Sequence, residues 1–166
     1  ATEKHLMDTP RTTLVAAIVQ GGRASWMHCG DSRLYFVRQG ELLARTRDHS
    51  YIEQRQEAKP NVPIPDNFNR NVLYTCLGSP AKPVFEVTGP VPLQQGDRIL
   101  LCSDGLWGSL DDSDIVYHLG HKPIGTSAPD LVEAALTKAG AHSDNVTLIA
   151  MEWETPDVVE STRGAI

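Results

Sequence analysis

The first part of the chain consists of short apolar segments separated by turn sequences. Four such segments lie between residues 14 and 44, and turns such as Gln20-Gly21-Gly22-Arg23 and Gln39-Gly40 join them. Short strands joined by tight turns form antiparallel meanders, because parallel neighbours need a crossover of about a dozen residues or more. The pattern therefore argues against alternating βαβ units and predicts antiparallel sheet.

Helix signals are grouped between further strand-like segments. A capping box from Ser50 to Glu53 predicts a helix that runs to Ala58, and an acidic start at residues 111–114 predicts another that runs to about Leu119. A second capping box at residues 127–130 precedes an apolar stripe that ends at Gly140. The later strands are expected at residues 71–77, 84–88, 98–102 and 146–153. This order predicts an α+β fold, a sandwich of two antiparallel β-sheets flanked by helices.

Composition limits the classes of protein to which the chain can belong. Its 166 residues, 40% of them hydrophobic, suit one globular domain, expected at residues 1–154 with a flexible tail at 155–166. A net charge of −6 argues against a nucleic-acid partner, and no apolar segment is long enough to cross a membrane. Residues 1–10 lack the apolar core of a signal peptide. The odd number of cysteines indicates free thiols, so a cytoplasmic location is expected; they are Cys29, Cys76 and Cys102.

The segment from Arg98 to Leu110 joins a strand signal to a carboxylate. The apolar run that ends at Cys102 has the length of a strand buried on both faces, and Asp104-Gly105 follows it. A carboxylate at the end of a buried strand is costly unless a positive group meets it, and hard divalent cations prefer oxygen ligands. Asp-Gly is also a common turn dipeptide, so the segment alone leaves both interpretations open.

Three aspartates occupy the same type of position, at the edge of an apolar run. They are Asp31, Asp104 and Asp144. If these edges meet, three carboxylates converge, and Mg²⁺ or Mn²⁺ between them would relieve the repulsion. Two such ions about 3.5–4 Å apart activate water and bind a phosphoryl group, which favours hydrolysis of phosphate esters. Three independent turn-forming aspartates remain the alternative, because spacing along the chain gives no distances.

Six motifs occur along the chain in an order that resembles a known family. They are Thr12-Thr13-Leu14-Val15-Ala16-Ala17, Cys29-Gly30-Asp31-Ser32-Arg33, Asp48-His49-Ser50, Arg70-Asn71 with Leu77-Gly78, Cys102-Ser103-Asp104-Gly105-Leu106-Trp107 and Ser143-Asp144-Asn145-Val146-Thr147. With them the chain resembles the metal-dependent protein phosphatases of the PPM (PP2C-type) family, bacterial branch. The resemblance covers about residues 12–153, and six motifs in the family's order are far more specific than any one alone.

The resemblance implies hydrolysis of phosphoserine and phosphothreonine in proteins, by water activated between two Mn²⁺ or Mg²⁺ ions. It assigns Asp104 and Asp144 as metal ligands, Asp31 as a ligand of a third ion found in some members, and Gly105 and Asn145 as supporting residues. No catalytic residue beyond the metal ligands and no other cofactor is implied. The implied partners are phosphorylated proteins, such as the targets of a cognate Ser/Thr kinase, and the chain is expected to be a monomer.

Two departures from the family pattern limit these expectations. The family's first segment, with a phosphate-binding Arg and an Asp-Gly pair whose Asp bridges both ions, has no match before Thr12. The Asp that often follows the second Asp-Gly motif is also absent, since Gly108 follows Trp107. We therefore expect the 166 residues of this chain alone to be inactive or barely active. The alternative is a non-catalytic phosphatase-like binding or regulatory module, although retention of both Asp104 and Asp144 favours an enzyme.

Other polar residues receive structural interpretations. His118 and His121 have a spacing that can bind metal, but without a third ligand nearby they are interpreted as helix surface residues. His28 is interpreted as a core histidine with satisfied hydrogen bonds, and His49 beside Asp48 as part of a helix start. The tryptophans and arginines Trp26, Trp107, Trp153, Arg33 and Arg70 are assigned to packing and structural contacts.

Overall fold

The computed structural model describes residues 9–65, 69 and 72–155. Its strands are β1 (Leu14–Gln20), β2 (Arg23–Cys29), β3 (Arg33–Arg38), β4 (Glu41–Arg45), β5 (Glu86–Pro92), β6 (Arg98–Cys102) and β7 (Leu148–Glu152). Its helices are α1 (Tyr51–Ala58), α2 (Asp104–Trp107), α3 (Asp112–His121) and α4 (Ile124–Ala139), and a 3₁₀ turn, Gly140–His142, follows α4. Within these residues no helix is both long and apolar enough to cross a bilayer.

The strands form two antiparallel sheets, in the orders β1-β2-β5 and β4-β3-β6-β7. The α+β prediction is therefore confirmed. The turn at Gly30-Asp31-Ser32 carries the chain from the three-stranded sheet into the four-stranded sheet, so the early strands do not form one continuous meander. This crossing places Asp31 between the two sheets' strand ends.

Strand β3 supplies side chains to both hydrophobic cores. Leu34 and Phe36 pack with Ala24, Trp26 and Ile99, which come from both sheets. On its opposite face, β3 contributes to a core shared with the helices, whose buried members are Tyr35, Val37, Leu100, Cys102, Leu106, Leu110, Ile115, Leu119, Leu131 and Ala135. Because successive strand residues point to opposite faces, the described part of the chain has three layers: sheet, sheet and helices.

The start of α1 matches the capping-box prediction. Ser50 Oγ accepts a hydrogen bond from the backbone N–H of Glu53 at 3.2 Å, which satisfies a donor at the helix end. The cysteines are unpaired, as expected, and Cys29 and Cys102 are buried. Burial raises the pKa of the Cys102 thiol to about 12, so this thiol stays protonated at neutral pH.

The predicted start of α4 is wrong. The helix begins at Ile124, and Ser127 lies inside it, fully buried, rather than at its N-cap. The Ser127 hydroxyl lies 2.8 Å from the carbonyl oxygen of His118, in the last turn of α3, and 3.1 Å from that of Lys122, which follows α3. Ser127 therefore links α4 to α3. The sequence around it has the pattern of a capping box, but its hydroxyl makes a tertiary contact instead.

Three strand predictions also need correction. Residues 73 and 77 form only isolated bridges, with Ser50 and Thr12, instead of a strand over residues 71–77. β5 begins at Glu86 rather than at residue 84, and β7 begins at Leu148 rather than at residue 146. Residues 145–147 instead contact Ser103, as described below. Asn71, Arg70 and residues 156–166 of the predicted tail lie outside the described residues.

Candidate metal-binding site

Asp31 lies in the tight turn between β2 and β3. The preceding Gly30 has φ +104°, and a Cβ there would lie 2.4 Å from Thr13 Cγ2, so both backbone conformation and packing require glycine. Burial, and then the negative charges of Asp104 and Asp48, raise the pKa of Asp31 to about 6. The negative charges of Asp31 and Asp104 therefore interact unfavourably.

Asp104 is the first residue of α2, and one residue, Ser103, separates it from the end of the buried strand β6. Ser103, which precedes it, donates its backbone N–H to the carbonyl of Thr147 at 3.0 Å, and its hydroxyl donates to the carbonyl of Asn145 at 3.2 Å. The backbone N–H of Thr147 in turn donates to Ser103 Oγ at 3.1 Å. These bonds fasten the Asp104 segment to the segment that follows Asp144.

Gly105 has a packing role at this junction. A Cβ at this position would lie 2.4 Å from the carbonyl oxygen of Asn145, so only glycine allows the two backbones to come this close. The supporting role that the resemblance gives Gly105 beside the metal ligands stays a prediction. In the structure, Gly105 allows the segments of Asp104 and Asp144 to come together.

Asp144 is solvent-exposed, and its Oδ1 accepts the backbone N–H of Asn145 at 2.7 Å. Its segment thus lies beside that of Asp104. Among the described residues, the carboxylates of Asp31, Asp104 and Asp144 do not form a group within 4.8 Å of one another. Their assignment as metal ligands stays a prediction.

A buried ion pair supports the Asp31 turn from behind. Arg33 donates from Nε and Nη2 to the two carboxylate oxygens of Asp48, each at 2.8 Å. The guanidinium also lies over the ring of Trp107, 3.7 Å from its centroid, and Trp107 Nε1–H donates to the carbonyl of Asp31 at 3.0 Å. Arg33 therefore has the structural role predicted for it, and Trp107 links α2 directly to the Asp31 turn.

Asp48 and His49 do not cap α1, contrary to the sequence interpretation. Asp48 is committed to Arg33, while His49 Nδ1 accepts the backbone N–H of Gly30 at 3.2 Å. Both side chains are buried and face the β2–β3 turn instead of the helix. The three residues of the Asp48-His49-Ser50 motif thus have different roles, since only Ser50 caps the helix.

The structure also brings together a group that sequence reasoning missed: His28, His49 and Glu86. Each histidine Nε2 lies 3.7 Å from Glu86 Oε2, and the two imidazole centroids are 4.3 Å apart. His28 and Glu86 are register partners on β2 and β5. Knowledge of that strand pairing would have found two members of the group, but the sequence offered no signal for it.

The residues of the Asp31–Asp104 region fit a hard divalent cation. Burial is the largest cause of the raised pKa of Asp31, and the negative charges of Asp104 and Asp48 add to it, so the charged form of this carboxyl is disfavoured without a cation. The side chains expected to bind are carboxylates, which suit Mg²⁺ and Mn²⁺. A cation would lower the electrostatic cost that these carboxylates impose on the fold.

The chain is similar in sequence to bacterial protein phosphatases, although no protein-family model matches it. It is 33% identical over 144 residues to the serine/threonine protein phosphatase PstP of Mycobacterium tuberculosis; the match covers 85% of the chain and 27% of PstP. It is 32% identical over 146 residues to the serine/threonine phosphatase stp of Listeria welshimeri, covering 85% of the chain and 56% of that protein. The chain therefore spans less than two thirds of either relative.

Solved structures give the same result for the fold. The M. tuberculosis phosphatase PstP/Ppp superposes with a TM-score of 0.72 at 32% identity, covering 87% of the chain and 61% of that structure. The catalytic domain of PstP in complex with two manganese ions superposes with a TM-score of 0.67 at 32% identity, covering 86% and 59%. With the ordered motifs and the two antiparallel sheets, these similarities show that over 85% of its length the chain matches part of the bacterial PPM (PP2C-type) serine/threonine protein phosphatases.

Proposed function

We propose that the chain is part of a phosphatase that hydrolyses phosphoserine and phosphothreonine in proteins with the help of two divalent metal ions. The observation that carries this proposal is the junction at Ser103–Gly105. There Asp104 starts a helix, and the residues on either side of it contact the backbone of Asn145. The negative charge of Asp104 repels that of Asp31. The similarity to PstP and its two-manganese structure supports the same chemistry.

In this proposal Asp104 and Asp144 hold the two ions, Mn²⁺ or Mg²⁺, and Asp31 contributes to a third. When bound, the ions would supply an activated water and neutralise charge on the phosphoryl group. The chain's own contribution is to position the ligands. Gly105 and Asn145 bring two segments together, while Trp107 fixes the backbone of Asp31 relative to α2.

The protein's substrates and setting are proposed by the same reasoning. The substrates are phosphorylated proteins, which include the targets of a Ser/Thr kinase, and the chain acts as a monomer. A cytoplasmic location is consistent with three unpaired cysteines. We place the described sheets and helices in a single domain, since β3 contributes to both hydrophobic cores.

A non-catalytic phosphatase-like module is the second candidate function. The exposed position of Asp144 favours it. The two candidates differ in one measurable respect, because only the enzyme loses hydrolysis when a metal ligand is neutralised. Metal-dependent turnover therefore distinguishes them.

The test compares Asp104→Asn with wild type in the full-length gene product, using a phosphothreonine peptide and Mn²⁺. We expect the substitution to abolish Mn²⁺-dependent hydrolysis while the circular dichroism spectrum is unchanged. Asp114→Asn, at an aspartate on α3 outside the site, is the matched control and should retain activity. Unchanged hydrolysis in Asp104→Asn refutes the ligand assignment, and absence of hydrolysis in the wild type favours the non-catalytic module.

A further inference from the structure

A second group of metal-binding side chains lies at the side of the three-stranded sheet. His28 on β2 and Glu86 on β5 are opposite each other in the antiparallel register, and His49 reaches them from the connection between β4 and α1. Both histidines are buried, at 2% and 3% exposure, whereas the Glu86 side chain is 56% exposed. The group thus has a buried base of two imidazoles and a carboxylate that faces solvent.

The distances within this group are close to those of a tetrahedral zinc site. Bonds of about 2.0–2.1 Å to a tetrahedral ion separate neighbouring ligand atoms by about 3.4 Å. Each histidine Nε2 is 3.7 Å from Glu86 Oε2, and the three ligand atoms all lie within 4.8 Å of one another. Contraction around an ion requires a movement of the half-exposed glutamate and displacement of the Arg47 carbonyl from His28 Nε2.

Access to the group is also present. A surface cavity of about 420 Å³ is lined by His49 and Glu86, together with Arg47, Tyr74 and Phe85 among others. A fourth position on the ion would open towards this cavity and be filled by water. His49 Nδ1 accepts the backbone N–H of Gly30, so the His49 imidazole is in the neutral form that binds metal.

We propose that His28, His49 and Glu86 form a Zn²⁺ site that is separate from the Asp31–Asp104 region. Two imidazoles and one carboxylate are a ligand set that proteins use for zinc, with the fourth position left to water. The aspartates of the other region offer only oxygen, which Mg²⁺ and Mn²⁺ prefer. The different ligand types therefore favour Zn²⁺ at the histidine group and Mg²⁺ or Mn²⁺ at the aspartates.

Zinc binding would change the protonation of both imidazoles. Without an ion, His28 Nε2–H donates to the carbonyl of Arg47 at 2.7 Å. His49 Nδ1 accepts the N–H of Gly30, which leaves the His49 proton on Nε2. An ion bound at both Nε2 atoms moves each proton to Nδ1, with no net release, and the two hydrogen bonds are lost.

The lost bond at His49 connects the zinc site to the turn that carries Asp31. A protonated Nδ1 faces the N–H of Gly30, and two donors repel, so the Gly30 amide must find another partner. Two broken hydrogen bonds reduce the affinity, which we expect in the micromolar range rather than that of structural zinc sites. Occupation is therefore reported by the amide of Gly30.

The experiment measures Zn²⁺ binding to the whole chain by titration calorimetry, with Mg²⁺ in large excess. We expect one zinc ion per wild-type chain. The affinity should be lower by at least about tenfold in Glu86→Gln, which removes the exposed ligand. His28→Gln is the second variant, since a glutamine can still donate to Arg47. Circular dichroism verifies that both variants are folded.

The matched control removes the two histidines of α3, with His118→Gln and His121→Gln, and should bind zinc like the wild type. In ¹⁵N–¹H spectra of the wild type, the Gly30 amide peak should shift on addition of Zn²⁺ and stay in place with Mg²⁺. Absence of zinc binding by the wild type overturns the proposal. Equal binding by the Glu86→Gln and His28→Gln variants, or a Gly30 peak that does not move, also overturns it.

Discussion

The ion pair between Arg33 and Asp48 allows a quantitative prediction about stability. Both side chains are nearly inaccessible, at 10% and 4% exposure, and two hydrogen bonds of 2.8 Å join them. Burial alone would lower the pKa of Arg33, but its hydrogen bonds to Asp48 and Tyr35 hold that pKa above its ordinary value. The guanidinium therefore stays charged in the folded protein and needs its partner.

Asp48→Asn removes the negative charge and leaves the buried cation without full compensation. Removal of one partner from a buried pair costs about 3–5 kcal/mol. We expect the lower end, about 3 kcal/mol, because Arg33 keeps its contact with Trp107 and an ion pair with Asp112 at 3.6 Å. For a chain of this size that loss lowers Tm by about 6–12 °C.

The assay is urea denaturation followed by circular dichroism at pH 7, with a chelator present. Glu57→Gln is the control, because the pair of Arg47 with Glu57 is 62% exposed on both sides. Exposed pairs contribute about 0–1 kcal/mol, so this variant should unfold near the wild-type midpoint. A loss below about 1 kcal/mol in Asp48→Asn, or equal losses in both variants, refutes the reasoning.

Two further predictions concern the candidate metal-binding site. Gly105→Ala places a Cβ 2.4 Å from the carbonyl oxygen of Asn145 and should lower the free energy of unfolding by about 2 kcal/mol in urea, whereas Gly125→Ala, with nothing within 4 Å, should not destabilise the protein. Equal effects at the two glycines would contradict this packing. Asp31→Asn should make the metal-free protein more stable than wild type above pH 6. The raised pKa of Asp31 means that wild-type stability falls as pH rises from about 4 through 6, a loss that the neutral side chain avoids. Thermal unfolding at pH 4 and 7 checks it, and an equal difference in Tm at both pH values would count against it.

Local chemistry made much of the fold predictable. The tight turns of the first strands follow from the local sequence. So does the alternation along β3, where the structure places Leu34 and Phe36 in one core and Tyr35 and Val37 in the other. Ser50 caps α1 because its hydroxyl accepts a backbone N–H only three residues later in the chain. The early strands and the Ser50 cap were therefore predicted correctly, whereas the bounds of the later strands were not.

Features decided by distant residues were not predictable in the same way. Ser127 has the sequence context of a cap, but carbonyls at the end of α3 engage its hydroxyl inside α4. The motifs located the segments of Asp31, Asp104 and Asp144, yet the contact of Gly105 with Asn145 and the exposure of Asp144 depend on packing. The group of His28, His49 and Glu86 depends on strand pairing, which no local pattern specifies.

The junction between Ser103 and Thr147 also has a consequence for biosynthesis. Its hydrogen bonds join residues 44 positions apart, and β7 pairs with β6 immediately after it. A growing chain that has emerged only as far as α3 carries Asp31 and Asp104 but lacks Asp144 and the segment after it that bonds to Ser103. The ions of the proposed site would consequently be acquired after synthesis of α4, when most of the sheet framework already exists.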